Sequence, residues 1–413
     1  MIEMLDEKQS MLISLLLAGI RNKPFAAEND SNVDWQALID EAGKHQVITL
    51  IYRPMAENAG RLQISDKLMN RLRENVLYEG MEQERNYIAF GSILADFASA
   101  GIPVIVLKGL VLRELYPDPA LRTMHDFDVL VKPCDVDKAG ALLVKSGYET
   151  GFDKGKHAVY FHPCLPTVEI HRSMAPAGLY ENYTEFEDQA WGHSVPVIVS
   201  GAGVLSLDNL DRMIYQLIHM ASHMIGNGFG LRQLCDFVLL AEDSEGKIDC
   251  KEFVSALNKL GLEKFARVLF AVCRRLFDLK STCLFAGDVS DLPVESLIKD
   301  IFDGGIFGKS NNDRITANRM LYYSGGCNAK TLPEKLHIYL ELLFPKAKKL
   351  DVRYAYAKKY NFLLPFAWIH RFFYCFIRRD IDFTEKLTIF TSASPSGIYS
   401  NRGLLLKKLG LID

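Results

Sequence analysis

The sequence predicts an α+β fold in which a small mixed β-sheet is flanked by helical regions on both sides. Short β-branched runs, Pro103–Leu107 and Phe127–Val131, lie in the middle of the chain, and apolar residues recur at helical spacing before and after them. Strands and helices do not alternate regularly, which argues against a doubly wound sheet. We therefore expect a helical region over 1–100, an α/β core over 101–207 and a second helical region over 208–413.

The composition is that of an ordinary globular protein and disfavours several functional classes. The chain has 413 residues, of which 49% are hydrophobic and 24% charged, and a formal net charge of -3. Neither disorder nor bulk attraction to nucleic acid is therefore indicated. The eight cysteines contain no Cys-x-x-Cys pair, which disfavours a zinc ribbon or a redox motif. Dispersed thiols are typical of a cytoplasmic protein whose cysteines stay reduced.

Helical periodicity dominates the first hundred residues. The apolar stretch Met11–Ile20 follows acidic rather than basic residues, which predicts an amphipathic helix and not a signal peptide. Helical spacing over Trp35–Glu57 and Lys67–Ala98 predicts further helices, and Gly101 supplies a stop signal after the second stretch.

Strand and turn signals take over in the central region. A helix is predicted over Gly109–Tyr116 between the first two strands, and Asp135 can cap a helix that runs to about Ser146. Four further strands are predicted, the first two as a hairpin: Val159–Phe161, Val168–His171, Val195–Val199 and Gly203–Leu207.

Helical periodicity returns after residue 208. The predicted helices are Leu210–Ile225, Leu231–Ala241, Lys251–Leu260, Phe265–Phe277, Lys335–Phe344 and Asp351–Arg378. The most apolar stretch of the chain, Tyr360–Ile377, is interrupted by Pro365, His370 and Arg371. A membrane-spanning helix rarely carries such groups at its centre. We therefore predict a buried helix here, with a helix lying on a membrane surface as the alternative.

Asp126 and Asp128 are the strongest functional signal in the sequence. Residues i and i+2 of a strand point to the same face, so two carboxylates lie side by side. They repel each other, and a divalent cation with oxygen ligands relieves that repulsion. Such a pair is otherwise often part of a solvent face, but the apolar run Val129–Val131 favours a site. Glu169, on a later predicted strand, can complete a site for two Mg²⁺ ions.

A strand-to-helix turn at Lys108 and Gly109 lies upstream of these acids. A glycine in such a turn lets backbone N–H groups approach a phosphate, and a helix N-terminus favours its negative charge. Lys108 adds a positive charge. Arg122 has two interpretations: it holds a triphosphate through bidentate contacts, or it forms a structural ion pair with an aspartate.

These features together resemble the nucleotidyltransferase superfamily, and in particular its poorly characterised bacterial branch. The resemblance lies in Val106–Gly109, Leu115–Pro117, Arg122, Asp126–Val131 and Glu169–His171. At the phosphate turn this chain has Lys-Gly where the superfamily usually has Gly-Ser.

The resemblance implies a small mixed sheet with helices packed on it, and a metal held by Asp126, Asp128 and Glu169. The implied cofactor is Mg²⁺, with Mn²⁺ as the alternative. The implied reaction moves a nucleoside monophosphate from an NTP donor such as ATP to an acceptor, with pyrophosphate as the leaving group.

Six further residues are candidates for supporting roles around the carboxylates or in an acceptor site: His125, His171, His219, His223, Arg232 and Asp236. His219 and His223 are four residues apart and share a helix face. Because position 220 is Met rather than Glu, we favour a polar face turned toward the cleft over a zincin-like site. Arg232 and Asp236 have the same spacing, which suggests an ion pair within one helix.

The leading hypothesis is a Mg²⁺-dependent nucleotidyltransferase located in the cytoplasm. A small molecule is the favoured acceptor, because the near-neutral charge disfavours a long nucleic acid. Two alternatives use the same fold: a catalytically silent protein that binds nucleotide or metal, and a protein-interaction module built on the C-terminal helices. The acceptor, the preferred NTP and the oligomeric state stay open.

Overall fold

The computed structural model describes most of the chain, and every structural statement below concerns these residues. They are 5–25, 33–153, 156–174, 183–226, 228–281, 292–305, 340, 344–347, 350, 354–377 and 396–412.

Seven strands form one mixed β-sheet in the centre of the chain. They are β1 (Val104–Val106), β2 (Asp126–Val131), β3 (Glu149–Asp153), β4 (His157–Phe161), β5 (Thr167–His171), β6 (Val195–Val199) and β7 (Ala202–Ser206). Their order across the sheet is β3-β4-β5-β2-β1-β7-β6. The pairs β2–β5 and β1–β7 are parallel, and the other four neighbouring pairs are antiparallel.

The register of three strands fixes where the polar side chains of the sheet meet. In the parallel pair β2–β5, Asp128 lies opposite Glu169. In the antiparallel pair β4–β5, His157 lies opposite His171. Side chains two residues apart on a strand share a face. Asp126, Asp128, Glu169, His171 and His157 therefore point to one side of the sheet.

Helices precede, interrupt and follow the sheet. Those before β7 are α1 (Glu7–Arg21), α2 (Trp35–Lys44), α3 (Ile48–Asn58), α4 (Asp66–Ser99), α5 (Gly109–Leu112), α6 (Val136–Lys145) and α7 (Tyr183–His193). Those after it are α8 (Asn209–Gly226), α9 (Leu231–Asp243), α10 (Cys250–Lys259), α11 (Glu263–Phe277), α12 (Val294–Gly304), α13 (Ala355–Lys359), α14 (Leu364–Ile377) and α15 (Ser396–Lys408).

Local capping sets the start of several helices. The Asp6 carboxylate accepts a hydrogen bond from the Gln9 backbone N–H, and the Gln9 side chain accepts one from the Asp6 N–H. This reciprocal arrangement satisfies donors that the first turn leaves unpaired. Ser65 accepts from Leu68 N in the same way at the start of α4. The long helix α4 thereby begins at a defined residue and runs to the edge of β1.

Two large hydrophobic cores hold most of these elements together, and a small third cluster joins α13 and α14. The smaller core packs α4 and α6 on one face of the sheet through side chains such as Phe90, Phe127 and Leu143. The larger core contains residues of α1–α3 together with residues of α8–α12, for example Leu12 and Phe270. The helical segments before and after the sheet in sequence therefore share one core.

An ion pair at the end of α1 reinforces that shared core. Arg21 Nη2 donates to Glu242 Oε1 on α9 at 2.5 Å and to the Phe277 carbonyl oxygen at the end of α11 at 2.7 Å. A guanidinium that bonds two elements at once fixes their relative position.

The α+β class is confirmed, and so are the predicted 159–171 hairpin and the strand pair at 195–207. Besides the end of the chain, three elements were not predicted from the sequence: β3, α7 and α12. Strand β3 has the sequence Glu-Thr-Gly-Phe-Asp, in which Gly and two acids obscure any strand signal. The helix predicted over Gly109–Tyr116 is only the one-turn α5, followed by a 3₁₀ turn over Arg113–Leu115. The end of the chain, which carried no clear signal, contains α15.

The aromatic stretch near the C-terminus was predicted to be a buried helix, but several of its side chains are exposed in the structure. On α14, Phe366 and Phe373 are 64% and 61% exposed, and Phe362 just before it is 75% exposed. The apolar composition predicted a core position, but the neighbouring described elements cover only Ala367 fully. Most of the predicted helix Lys335–Phe344 lies outside the described residues. In the part of the chain that the structure describes, we find no helix whose length and hydropathy would let it cross a bilayer.

The sequence predicted that all cysteines are reduced, and the structure differs from this prediction at one cysteine. Cys134, Cys164, Cys235 and Cys273 are free thiols. Cys250 takes part in a disulfide bond, so the expectation is wrong at this residue.

Candidate active site

Asp128 is the most heavily engaged carboxylate of the site. Its Oδ1 lies 2.7 Å from Lys108 Nζ, on the turn after β1, and 2.7 Å from His171 Nε2, on β5. Burial alone would raise the pKa of Asp128, but the Lys108 charge and the His171 contact hold it well below its ordinary value. Asp128 is therefore ionised and already paired with a cation.

Asp126 lies at the start of β2, where part of its side chain reaches solvent although protein atoms surround its carboxylate. Desolvation by the surrounding protein, and then the neighbouring Asp128 charge, raise the pKa of Asp126 above its ordinary value. The pKa values of the two acids in the Asp-x-Asp motif are thus shifted in opposite directions. The negative charge of Asp128 is compensated by Lys108, and that of Asp126 is destabilised by its surroundings.

Glu169 lies between two imidazoles on β4 and β5. Its Oε2 is 3.5 Å from His157 Nε2 and 3.4 Å from His171 Nε2. Burial alone would raise the pKa of Glu169, but His171 and then His157 lower it to about 2. Among the described residues, His157, Glu169 and His171 have ligand atoms that all lie within 4.8 Å of one another.

Asp126 and Asp128 belong to neither of the two close groups of candidate ligand atoms found in the described residues. The structure places the three predicted acids on one face of the sheet. Of those three, however, only Glu169 is part of a close set. His157 was missed by the sequence analysis. The available signal was the predicted hairpin itself, because continuing its pairing from Val159–Phe161 places His157 opposite His171.

The turn between β1 and α5 has an unusual backbone. Lys108 has φ 49° and ψ −121°, a conformation that non-glycine residues seldom adopt and that is often found at functional sites. This conformation aims the lysine side chain at Asp128. Because α5 is only four residues long, its dipole can contribute little to phosphate binding.

Gly109 follows Lys108 and allows a close approach of side chains. A Cβ at this position would meet Arg122 Nη1 and would lie 2.6 Å from Met124 Sδ. We expect Gly109→Ala to cost about 1–3 kcal/mol of unfolding free energy, because both neighbours are buried and must shift. Urea denaturation measures this, with Gly203→Ala as the control, since a Cβ at Gly203 meets nothing within 4 Å. Equal stability of the two variants would contradict the packing argument.

Arg122 is in a buried bidentate ion pair with Asp236 on α9. Its Nε lies 3.1 Å from Asp236 Oδ1 and its Nη2 2.6 Å from Oδ2. Tyr116 Oη donates to the same Oδ1 at 2.8 Å. Burial would lower the pKa of Arg122, but Asp236 raises it. The structure thus shows Arg122 in an ion pair with an aspartate, and its contact with a triphosphate stays a prediction. It also corrects the suggested Arg232–Asp236 pair within α9.

Arg232 bonds elsewhere. Its Nη1 donates to Gln46 Oε1 at 2.7 Å and to the Thr123 carbonyl oxygen at 2.9 Å. Burial, and then the nearby Arg122 charge, lower the pKa of Arg232 to about 10. This guanidinium holds the loop that leads to β2, on which His125 is exposed. Arg122 and Arg232 together fix the approach to Asp126.

His219 and His223 form an edge-to-face pair on α8 with ring centroids 4.4 Å apart. Burial, and then the Lys108 charge, lower the pKa of His223 to about 3 and that of His219 well below its ordinary value. Both imidazoles are therefore neutral near pH 7.

A second close group of candidate ligands lies next to the paired ends of β6 and β7 and consists of His193, Asp208 and Asp211. Asp211 Oδ2 lies 3.2 Å from His193 Nδ1. Burial, and then the Asp208 charge, nevertheless raise the pKa of Asp211 from 3.8 to about 6. The charged form of Asp211 is thus unfavourable in the folded protein.

That raised pKa gives a pH-dependent prediction for Asp211→Asn. The folded state binds the Asp211 proton more tightly than the unfolded state, so the wild type loses stability as pH rises from about 4 to about 6. Above pH 6 we expect the variant to be more stable by about 1–2 kcal/mol. Urea denaturation at pH 4.5 and pH 7.5 tests this. The prediction is refuted if the difference in unfolding free energy between the variant and the wild type does not grow from pH 4.5 to pH 7.5.

Comparison with known proteins gives one match. The model of a family described as uncharacterised nucleotidyltransferase matches residues 31–278. No curated protein and no solved structure matches the chain. The matched range contains the whole sheet, the Lys108–Gly109 turn and all three predicted acids. Because it covers more than half of the chain, the protein belongs to this uncharacterised nucleotidyltransferase family.

Proposed function

We propose that the protein transfers a nucleoside monophosphate from an NTP to an acceptor in a reaction that depends on a divalent metal. The observation that carries the proposal is the register of β2 and β5. It places Asp126, Asp128 and Glu169 on one face of the sheet, in a chain of a nucleotidyltransferase family. Carboxylates so arranged are suited to the positioning and charge neutralisation that phosphoryl transfer requires.

The residues of this face fit a hard divalent cation. Asp126 and Asp128 offer carboxylate oxygens, the ligands that Mg²⁺ prefers, with Mn²⁺ as the alternative. In the metal-free protein, the surroundings of Asp126 disfavour its negative charge. A cation bound there would neutralise that charge. When bound, the metal would neutralise the triphosphate and polarise the acceptor hydroxyl.

The chain's own residues would orient these groups. His171 holds Asp128 Oδ1 at 2.7 Å from one side and Lys108 holds it from the other. The carboxylate is thus fixed before any ligand arrives, which is the preorganisation that a catalytic centre needs. Lys108 is also the buried cation available to a phosphate oxygen at this turn.

The proposed transfer exchanges one bond at the α-phosphorus for another. A bond forms between the acceptor oxygen and the α-phosphorus, and the bond from that phosphorus to the bridging oxygen breaks, which releases pyrophosphate. The acceptor's proton passes to a carboxylate or to solvent. A small-molecule acceptor is favoured, because the net charge of -3 offers no general attraction for a polyanion.

The test is a pyrophosphate-release assay with α-labelled NTPs, Mg²⁺ or Mn²⁺, and pooled small-molecule acceptors. We expect release that depends on the metal and label that appears in an acceptor. Asp126→Asn is the matched control. If the protein binds nucleotide but releases no pyrophosphate with any acceptor, the catalytically silent alternative replaces the proposal.

A further inference from the structure

The group His157, Glu169 and His171 differs in chemistry from the carboxylates beside it. Antiparallel pairing places His157 directly opposite His171. Glu169 lies two residues before His171 and so shares its face. The two imidazole rings have centroids 4.9 Å apart. His157 is 4% exposed and His171 1% exposed. The backbone pairing of two strands therefore holds two imidazoles and a carboxylate together below the surface.

Both distances from Glu169 to the histidine nitrogens fit ligands of a single ion, and all three ligand atoms lie within 4.8 Å of one another. A tetrahedral zinc ion with bonds of about 2.0–2.1 Å separates neighbouring ligand atoms by about 3.3 Å. Glu169 Oε2 lies 3.5 Å from His157 Nε2 and 3.4 Å from His171 Nε2. A direct hydrogen bond would bring these atoms closer, to about 2.7–2.9 Å. The observed gaps are thus longer than hydrogen bonds and close to the separation across a shared metal.

The donor atoms indicate which metal. Two imidazole nitrogens and one carboxylate suit zinc and its neighbours among the transition metals, whereas Mg²⁺ prefers oxygen ligands and retains its waters. Three protein ligands leave the fourth position of a tetrahedral ion open.

We propose that His157, Glu169 and His171 form a binding site for a zinc-class divalent ion, which shares Glu169 with the proposed Mg²⁺ site and takes its other two ligands from histidines. This site rests on the histidine geometry and needs no nucleotidyl transfer. Binding uses the His171 tautomer with its hydrogen on Nδ1, so His171 Nε2 releases its contact with Asp128. Asp128 keeps Lys108 as its partner.

Zinc titration of the full chain without nucleotide tests the site, with a chromophoric chelator as competitor and excess Mg²⁺ present. We expect one tight zinc ion in the wild type and binding weakened about 100-fold in His157→Gln. His193→Gln is the matched control, because it alters the other close group, and should bind zinc like the wild type. Circular dichroism confirms that each variant is folded.

A second measurement needs no variant. X-ray absorption of the zinc-loaded wild type should show two imidazole ligands at about 2.0–2.1 Å. The proposal is overturned if the wild type binds no zinc, if His157→Gln binds it equally well, if only His193→Gln loses it, or if the spectrum lacks imidazole scattering. Because no nucleotide is present, failure here leaves the transferase proposal standing. Zinc binding in a protein that never releases pyrophosphate overturns only the transferase.

Discussion

Asp126→Asn and Asp128→Asn should both abolish metal-dependent nucleotidyl transfer and yet change the stability of the metal-free protein differently. Each variant removes a carboxylate from the face that would hold the metal. We expect a loss of at least about 100-fold in the rate of pyrophosphate release for both. The measurement is the release assay at saturating NTP and Mg²⁺.

The stability difference follows from the partners of each acid. In Asp128→Asn the buried Lys108 ammonium loses its counter-ion, which should cost about 3–5 kcal/mol of unfolding free energy. In Asp126→Asn a charge that its neighbours disfavour is removed. The unfolding free energy should therefore stay within about 1 kcal/mol of the wild type or rise slightly. Urea denaturation in EDTA measures both values.

A metal titration completes the test. Adding Mg²⁺ should stabilise the wild type, because a ligand that binds only the folded state shifts unfolding, and neither variant should respond. Asp137→Asn, on the exposed face of α6, is the control that should behave as the wild type. If both site variants keep the nucleotide affinity and the transfer rate of the wild type, the metal-site interpretation is wrong. Equal destabilisation of the two would contradict the assigned role of Lys108.

Breaking the buried ion pair between Arg122 and Asp236 should cost about 3–5 kcal/mol, because the remaining charge is left unpaired away from water. Asp236→Leu and Arg122→Met each break it. The double variant Arg122→Met/Asp236→Leu removes both charges and should recover most of the loss. Urea denaturation of the three variants gives the coupling energy directly. Additive losses would show that the two residues do not depend on each other.

The same double variant decides what Arg122 does for the nucleotide. In the structure its Nε and Nη2 both donate to Asp236, which leaves little of the guanidinium for a triphosphate. We therefore expect the folded double variant to keep its NTP affinity within about threefold of the wild type. A loss of about 100-fold, the size expected for a bidentate phosphate contact, would restore the triphosphate role. Isothermal titration with a non-hydrolysable NTP measures the affinity.

The sequence was most informative where a single strand or helix carries the signal. The period of two placed Asp126 and Asp128 on one face, and the prolines at 163 and 166 marked the hairpin that brings Glu169 into the sheet. Both inferences need only local geometry, since side-chain direction along a strand is set by the backbone. The α+β class followed from the same periodicities.

The choice of partners depended on contacts between distant parts of the chain. Spacing along α9 suggested that Asp236 pairs with Arg232, but Asp236 pairs with Arg122, which is 114 residues away. The bond between Lys108 and Asp128 was not predicted from the sequence, and the role of Lys108 toward a phosphate stays a prediction. Charged groups pair with whichever opposite charge shares their buried surroundings. Sequence spacing does not reveal those surroundings.

The sequence by itself determined most of the strands and helices and which acids share a strand face, because periodicity and turn residues act within a few positions. Only the tertiary structure decided the strand register that sets His157 beside Glu169 and His171. It also decided that Phe366, Phe372 and Phe373 of α14 are exposed. The physical reason is the same in both cases. Burial and partner choice depend on which surfaces the folded chain brings together, and hydrophobic or polar composition alone does not fix that.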